Sequence, residues 1–243
     1  MILDTLTTEI RQTILSAGDA KELDAMRTVT MNRLNNLEAE IAHIHAQRER
    51  WASFQAGRLA GGKVYELPMP ALSWAEQALP KYESDRAFLD CVHVVEWAGK
   101  SWLMGADGFR LNACAIDADI PAGLYHAAGN MIVLADGVTS SKSYAELITR
   151  EPSKRLPPQP VTGESEGVAY CAWGLNADGT LVEREFANCG YFVDRRFYEE
   201  ACSFSDERPT YGLLRGWSDA LHLFWGGTAL AIVMPLQAPK MKA

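Results

Sequence analysis

The first 56 residues of this 243-residue chain contain no proline and a single glycine, Gly18, which strongly favours helical structure. A break at Gly18 and Asp19 is expected to separate a short helix from a long one. In the long helix, five apolar residues recur at the a and d spacing of a heptad, namely Leu34, Leu37, Ile41, Ile44 and Trp51. Arg48 interrupts this stripe, so about two heptads are clean. The stripe is buried either on the chain's own domain or in an oligomer contact, and we select it as the oligomerisation candidate.

The composition changes after Gly57, Gly61 and Gly62, and from Val64 onward turn signals separate runs of β-forming residues. We therefore predict a helical region over residues 1–62 and an α+β domain over residues 63–243. Strands are predicted over residues 91–98, 101–106, 111–116, 131–135, 168–175, 180–186, 211–215, 220–225 and 228–234. Helices are predicted over residues 72–79 and 195–204, the second behind Asp194 as its N-cap. The proline-rich tract 150–166 is interpreted as a linker or as an extended crossing segment.

The net charge of −8 and the pI near 5.2 argue against nucleic-acid binding over the whole surface, although a local basic patch is compatible with them. The longest apolar run, residues 229–236, is too short to span a membrane. The N-terminus lacks the basic and apolar regions of a secretory signal. Five cysteines without a C-x-x-C pair favour free thiols in a reducing compartment, so we expect a cytoplasmic protein.

Motifs for nucleotide, phosphate or zinc chemistry are absent, and no serine elbow is present. His93 and His222 lie inside predicted strands, where a packed histidine is more common than a ligand. Asp117 and Asp119 are read as loop residues, since no histidine or further carboxylate accompanies them. We therefore expect no enzyme activity, no metal and no cofactor.

Several segments, taken in order, resemble the bacterial DNA sliding clamp, the beta subunit of DNA polymerase III. They are residues 84–95 (SDRAFLDCVHVV), 105–111 (GADGFRL), 144–148 (YAELI), 191–198 (YFVDRRFY) and 231–236 (AIVMPL). The second and last are similar to the family's "A-T-D-G-H-R-L" and "V-V-M-P-M". Bacterial clamps carry three such domains in one chain, and this chain has room for one.

The resemblance implies a clamp-like domain with two short helices on curved antiparallel sheets, preceded here by the N-terminal helices. It also implies a processivity factor that encircles double-stranded DNA as a homo-oligomer and tethers a polymerase or another protein carrying a clamp-binding motif. The implied DNA-facing residues are Lys81, Arg86, Arg195 and Arg196. The i,i+4 pairs Arg195–Glu199 and Arg196–Glu200 fit a solvated helix face equally well.

Sliding clamps bind partner peptides in an apolar groove. The groove is lined by the "A-T-D-G-H-R-L" and "V-V-M-P-M" motifs, which come from neighbouring domains. The corresponding residues here are Asp107, Gly108, Phe109, Arg110, Leu111, Leu147, Val233, Met234, Pro235 and Leu236. The resemblance implies apolar walls, with Arg110 donating to the peptide, and a head-to-tail ring could rebuild the groove at each subunit junction. The alternative is that residues 233–236 are a core strand and Asp107-Gly108 an ordinary hairpin turn.

Two further functional hypotheses remain open. One is a non-ring structural or adaptor protein with a clamp-like fold that oligomerises through its N-terminal helices. The other is an unrecognised enzyme or ligand-binding domain.

Overall fold

The computed structural model describes residues 20–81, 86–139, 146, 154–156, 160–165, 168–173, 191–214 and 220–235. Within these ranges the chain forms three α-helices, a short 3₁₀ helix and thirteen strands in two antiparallel sheets. This arrangement confirms the predicted α+β class, with two short helices on antiparallel sheets, preceded in the chain by an N-terminal helix. The predicted strand over residues 180–186 and the predicted helix before Gly18 lie outside the described residues.

The helices lie close to the positions that local sequence signals indicate. They are α1 (Ala20–Leu59), α2 (Met69–Gln77), α3 (Arg195–Cys202) and the 3₁₀ helix Ala87–Asp90. α2 starts three residues earlier than predicted, because Pro70 is tolerated in a first turn, where a backbone N–H has no helical partner. α3 follows Asp194, whose Oδ1 accepts a hydrogen bond of 2.8 Å from the Arg196 backbone N–H, as expected for an N-cap.

The strands are short and connected mainly by hairpins. They are β1 (Val64–Glu66), β2 (Val92–Trp97), β3 (Lys100–Ala106), β4 (Arg110–Ile116), β5 (Gly123–Ala128), β6 (Met131–Leu134), β7 (Lys154–Arg155), β8 (Val161–Ser165), β9 (Val168–Trp173), β10 (Tyr191–Asp194), β11 (Thr210–Leu214), β12 (Ala220–Trp225) and β13 (Ala229–Val233). The large sheet has the order β1-β6-β5-β2-β3-β4-β13-β12-β11-β7, and the small sheet the order β10-β9-β8.

The described parts of the proline-rich tract, residues 154–156 and 160–165, contribute a strand to each sheet. β7 pairs with β11 at one edge of the large sheet, and β8 pairs with β9 in the small sheet. The crossing interpretation of this tract therefore describes it better than the linker interpretation.

β4 and β13 join the two halves of the large sheet. Strands β1, β2, β3, β5 and β6 lie on one side of this seam, and β7, β11 and β12 lie on the other. The register places Arg110 opposite Val233 and Leu111 opposite Ile232. Two segments that are far apart in the chain thus become neighbours at the centre of the sheet.

Helices α2 and α3 pack on the same apolar core at one face of the large sheet. Leu72 and Trp74 of α2 and Ala201 of α3 are buried there with residues of β3, β4, β12 and β13. α2 approaches β3 so closely that a Cβ at Gly105 would overlap the backbone carbonyl oxygen of Ala75. The absence of a side chain at Gly105 therefore permits this helix position.

The chain divides into two compact units. The first contains α1 up to Glu49 together with Lys81, and the second begins at Arg50 and contains α2, α3 and both sheets. Within the second unit, Phe54 is fully buried with Ala128 and Val133. Among the described residues, the helices lack the length and apolarity needed to cross a membrane.

Candidate functional site

The two motifs of the predicted partner groove meet within one chain. The end of β3 and the start of β4 carry one motif, and the end of β13 carries the other. Besides the strand pairing, the Met234 backbone N–H donates a hydrogen bond of 2.7 Å to the Phe109 carbonyl oxygen. A second copy of the chain is therefore not needed to bring the two segments together.

The β3–β4 turn is held by its own aspartate. Asp107 Oδ1 accepts hydrogen bonds from the backbone N–H groups of Phe109 and Arg110, at 2.8 and 2.9 Å. Gly108 between them has a φ of 93°, a conformation that L-residues with a side chain rarely adopt. This Asx-type bonding makes the turn a rigid support for the side chain of Phe109.

The predicted groove residues separate into surface and core. Phe109 is 65% exposed, and Met234 and Pro235 are half-buried. Leu111 and Val233 are buried in the core. Leu147 and Leu236 lie outside the described residues. An exposed aromatic ring beside a flexible thioether forms an apolar contact surface that adapts to different side chains.

Arg110 lies beneath this surface and points at α3. Its guanidinium forms ion pairs with Asp107, through Nε and Oδ2 at 3.0 Å, and with Glu200 through Nη1 and Oε2. It also stacks on the Phe197 ring at 4.5 Å from the ring centroid. Burial lowers the pKa of Arg110, and Asp107 opposes this shift. The side chain predicted to donate to a peptide thus has several partners within the chain.

The candidate DNA-facing arginines on α3 are exposed and paired with acids. Arg195 Nε donates to Glu199 Oε1 at 2.7 Å, as the i,i+4 spacing predicts, and this hydrogen bond raises the pKa of Arg195. Arg196 pairs with Asp194 at 3.5 Å. The Arg196–Glu200 pair expected from the spacing is not the contact that forms, because Glu200 turns towards Arg110.

The remaining basic candidates lie outside the two sheet-packed helices. Arg86 is exposed immediately before the 3₁₀ helix, and Lys81 is half-buried in the first unit. α2 contains no lysine or arginine, and its single charged residue is Glu76. Burial raises the pKa of Glu76, while Arg50 opposes the shift. In α3 the two arginines are balanced by Glu199 and Glu200, so the two helices proposed to face DNA carry no net positive charge.

The apolar stripe of α1 is largely exposed in the single chain. Leu34 is 41% exposed, Ile41 56%, Ile44 54% and Trp51 50%, whereas Leu37 is half-buried. Four of the five stripe residues are therefore exposed to solvent.

Two buried polar contacts that the motifs did not predict hold α2 and α3 in place. Asn112 Nδ2 donates to the Trp74 carbonyl oxygen at 2.8 Å, and Trp74 Nε1 donates to the Ala201 carbonyl oxygen at 3.1 Å. An asparagine inside the apolar run of β4 is the sequence signal that could have identified the first contact, since a buried amide needs a partner.

The described residues offer no group of three or more metal-ligating side chains. Cys91 Sγ lies 3.6 Å from His126 Nδ1, but burial raises the pKa of Cys91 to about 12, so the thiol is protonated at neutral pH. Burial likewise raises the pKa of Cys114 and Cys171 to about 12. These thiols are therefore poor nucleophiles.

No family model and no curated protein matches this chain. Among solved structures it is similar to the DNA polymerase sliding clamp from Caulobacter crescentus, with 13% identity, a TM-score of 0.47, and coverage of 73% of this chain and 65% of that chain. It is also similar to DNA polymerase III subunit beta from Borrelia burgdorferi, with 11% identity, a TM-score of 0.45, and coverage of 72% and 64%. For the sliding clamp from Bacillus subtilis the values are 10%, 0.44, 73% and 65%.

These solved structures are all bacterial sliding clamps, the family that the sequence motifs resemble. The matched part of this chain spans about 65% of the Caulobacter crescentus clamp. At identities of 10–13% and TM-scores below 0.5, the similarity assigns no role to any residue, so site roles depend on the contacts described above.

Proposed function

We propose that this chain is a clamp-like processivity factor, which encircles double-stranded DNA as a homo-oligomer and tethers a polymerase or another DNA-acting protein. Residues 63–243 form the clamp-like domain in this proposal, and the protein works in the cytoplasm without enzymatic activity. The observation that carries the proposal is the pairing of the two clamp-like motifs at the β4–β13 seam, with Phe109 exposed on a rigid turn.

The partner surface consists of Phe109, Met234 and Pro235 within one chain. Leu111 and Val233 support it from the core, and Arg110 positions the turn against α3 through its contacts with Asp107 and Glu200. This assignment differs from a direct donor role for Arg110, because its guanidinium is buried.

Titration with a synthetic peptide carrying the clamp-binding motif tests the surface. We expect Phe109→Ser and Met234→Ala each to weaken binding about tenfold, as for a buried apolar contact worth roughly 1.4 kcal/mol. Met69→Ala is the matched control, since Met69 is an exposed apolar residue at the start of α2. Equal affinities for all four proteins, or no binding by the wild type, would exclude this surface.

Retention on circular DNA tests the encircling role. A topological tether needs little direct affinity, so binding to short linear duplex should be weak and salt-sensitive. The exchange of Arg195 and Arg196 for glutamate should reduce retention on circular DNA. The same charge change at Arg58 and Arg208, which are also exposed, is the control and should have little effect. If circular and linear DNA are retained alike, the protein does not act as a ring.

A second candidate function is a non-ring adaptor with the clamp-like fold. The exposed stripe of α1 and the lack of basic residues on α2 favour it. Imaging of particles with and without DNA separates the two candidates, because the first requires a closed ring with DNA passing through it.

A further inference from the structure

Helix α1 carries both buried and exposed large apolar side chains. Near its end, Phe54 is buried and Gly57 lies against the Val133 side chain. Trp51 and Leu59, in the same turns, are 50% and 81% exposed. A row of exposed large apolar side chains on a soluble protein is a feature of interaction surfaces, because leaving it in water is unfavourable.

The stripe is complementary to a reversed copy of itself. In two antiparallel α1 helices whose facing residue numbers add to 85, each a position meets a d position. Leu34 then faces Trp51 of the second copy, and Ile41 faces Ile44 of the second copy. The largest side chain is matched with a smaller one, and the Leu34–Trp51 and Ile41–Ile44 layers are entirely apolar.

The charges on α1 favour this orientation over a parallel one. In a parallel pair Arg48 would face Arg48 of the second copy, which places two like charges in the apolar seam. In the antiparallel register Arg48 of one copy faces Leu37 of the second copy. The acidic Glu38 of that second copy is the next residue after Leu37. This Glu38 flanks His45 of the first copy, so no like-charged pair borders this part of the seam.

We infer that α1 pairs antiparallel with α1 of a second copy, centred between Ile41 and Ile44. Such a contact has twofold symmetry, whereas neighbouring subunits of a head-to-tail ring of more than two copies are not related by a twofold axis. If the clamp-like domains close a ring head to tail, the α1 contact therefore connects two different rings. The pairing itself requires neither DNA nor a partner protein.

Cysteine cross-linking of the full chain tests both partner and orientation. With a rise of 1.5 Å per residue, residues 34 and 51 are about 25 Å apart along one helix. In the antiparallel pair, Leu34→Cys alone and Trp51→Cys alone hold their two thiols too far apart for a disulfide, which needs Cα atoms about 5–6 Å apart. The double variant, or a mixture of the two single variants, brings residue 34 next to residue 51.

After mild oxidation we expect a covalent dimer on a non-reducing gel for the double variant and the mixture, and monomers for each single variant. The wild type, treated identically, controls for the native cysteines. Cross-linked dimers of the single variants would show parallel helices, and the absence of cross-linking in every sample would exclude the pairing; either result overturns the inference.

Light scattering provides a second readout. The exchange of Ile41 and Ile44 for glutamate should halve the mass of the wild-type particle. Val29→Glu, at an apolar site of α1 that is 68% exposed and lies outside the stripe, should leave the mass unchanged. Retention of the wild-type mass by the stripe variant would refute the pairing. If the protein forms the cross-link but is not retained on circular DNA, the proposed ring is refuted and the α1 pairing is not.

Discussion

The two kinds of helix in this protein form for different physical reasons. α3 has eight residues, α1 has forty, and a helix as short as α3 is not stable in isolation. α3 is held by the Asp194 cap, by the Arg110–Glu200 ion pair and by the Trp74–Ala201 hydrogen bond. α1 is long enough to propagate by itself, so its apolar stripe is not needed to form the helix and stays available for association.

The first prediction tests this contrast within α1. Phe54→Ala should lower the free energy of unfolding by about 4 kcal/mol, since it leaves a cavity at a fully buried site. Ile41→Ala removes a side chain that is 56% exposed and should cost less than about 1 kcal/mol in dilute solution. Urea unfolding measures both, and similar losses would mean that the stripe is packed within the chain.

The second prediction concerns the seat of α2 on the sheet. Gly105→Ala should destabilise the protein by about 3 kcal/mol, because the new methyl group overlaps the Ala75 backbone and the helix must shift. Gly123→Ala is the control on β5, where the methyl group meets the flexible end of Leu134 at 3.2 Å and the Tyr125 ring at 3.4 Å, and no backbone atom is among these neighbours. Thermal unfolding of both variants gives the comparison. If both variants lose the same stability, α2 is not held this tightly.

The third prediction measures how α3 is anchored. A double-mutant cycle with Arg110→Met and Glu200→Gln should give a coupling energy of about 2 kcal/mol, since the Arg110 side chain is 2% exposed. The Arg195–Glu199 pair on the same helix is 46% and 57% exposed and should show much weaker coupling, which added salt abolishes. Comparable coupling in the two cycles would contradict a structural role for Arg110.

The smallest expected effect is a dependence of the free energy of unfolding on pH. Burial lowers the pKa of His222 to about 4, from an ordinary value of 6.5. Between pH 4 and pH 6.5 the unfolded chain therefore binds a proton at His222 that the folded chain does not. The contribution of neutral His222 to the free energy of unfolding is complete above pH 6.5 and declines as the pH falls towards 4. At pH 5.5 the loss is roughly 1.4 kcal/mol relative to pH 8.

His222→Leu should flatten this part of the stability curve. Burial also lowers the pKa of His93 to about 4, so the variant should retain a second, similar dependence. Urea unfolding between pH 5 and pH 8 measures the two curves. Parallel curves for wild type and variant would show that His222 is not protonated on unfolding.

Much of the fold follows from local signals in the chain. The Asp194 cap, the turn at Asp107-Gly108 and the runs that became β12 and β13 were predictable from residue type and spacing. β5 was not predicted, because its sequence GLYHAA lacks β-branched residues, and it forms by pairing with β2 and β6 on either side. Cross-strand pairing can thus impose a strand on a weak sequence.

In the candidate site, too, local sequence signals predicted some features and long-range packing decided others. The sequence motifs identified both segments of the seam, but residue type alone predicted Arg110 as a donor to a peptide. The structure buries its guanidinium against Asp107 and Glu200, which leaves Phe109 as the exposed feature. The partner of a long charged side chain depends on which helix packs above it, and no local pattern encodes that.

By itself, the sequence determined the helical N-terminal region, the α+β class and the position of most turns, because glycine, proline and apolar spacing act over a few residues. Only the tertiary structure decided that β4 lies beside β13, that Glu200 pairs with Arg110 and that the stripe of α1 remains open. These outcomes depend on contacts between residues far apart in the chain, and such contacts are chosen by the packing of the whole core.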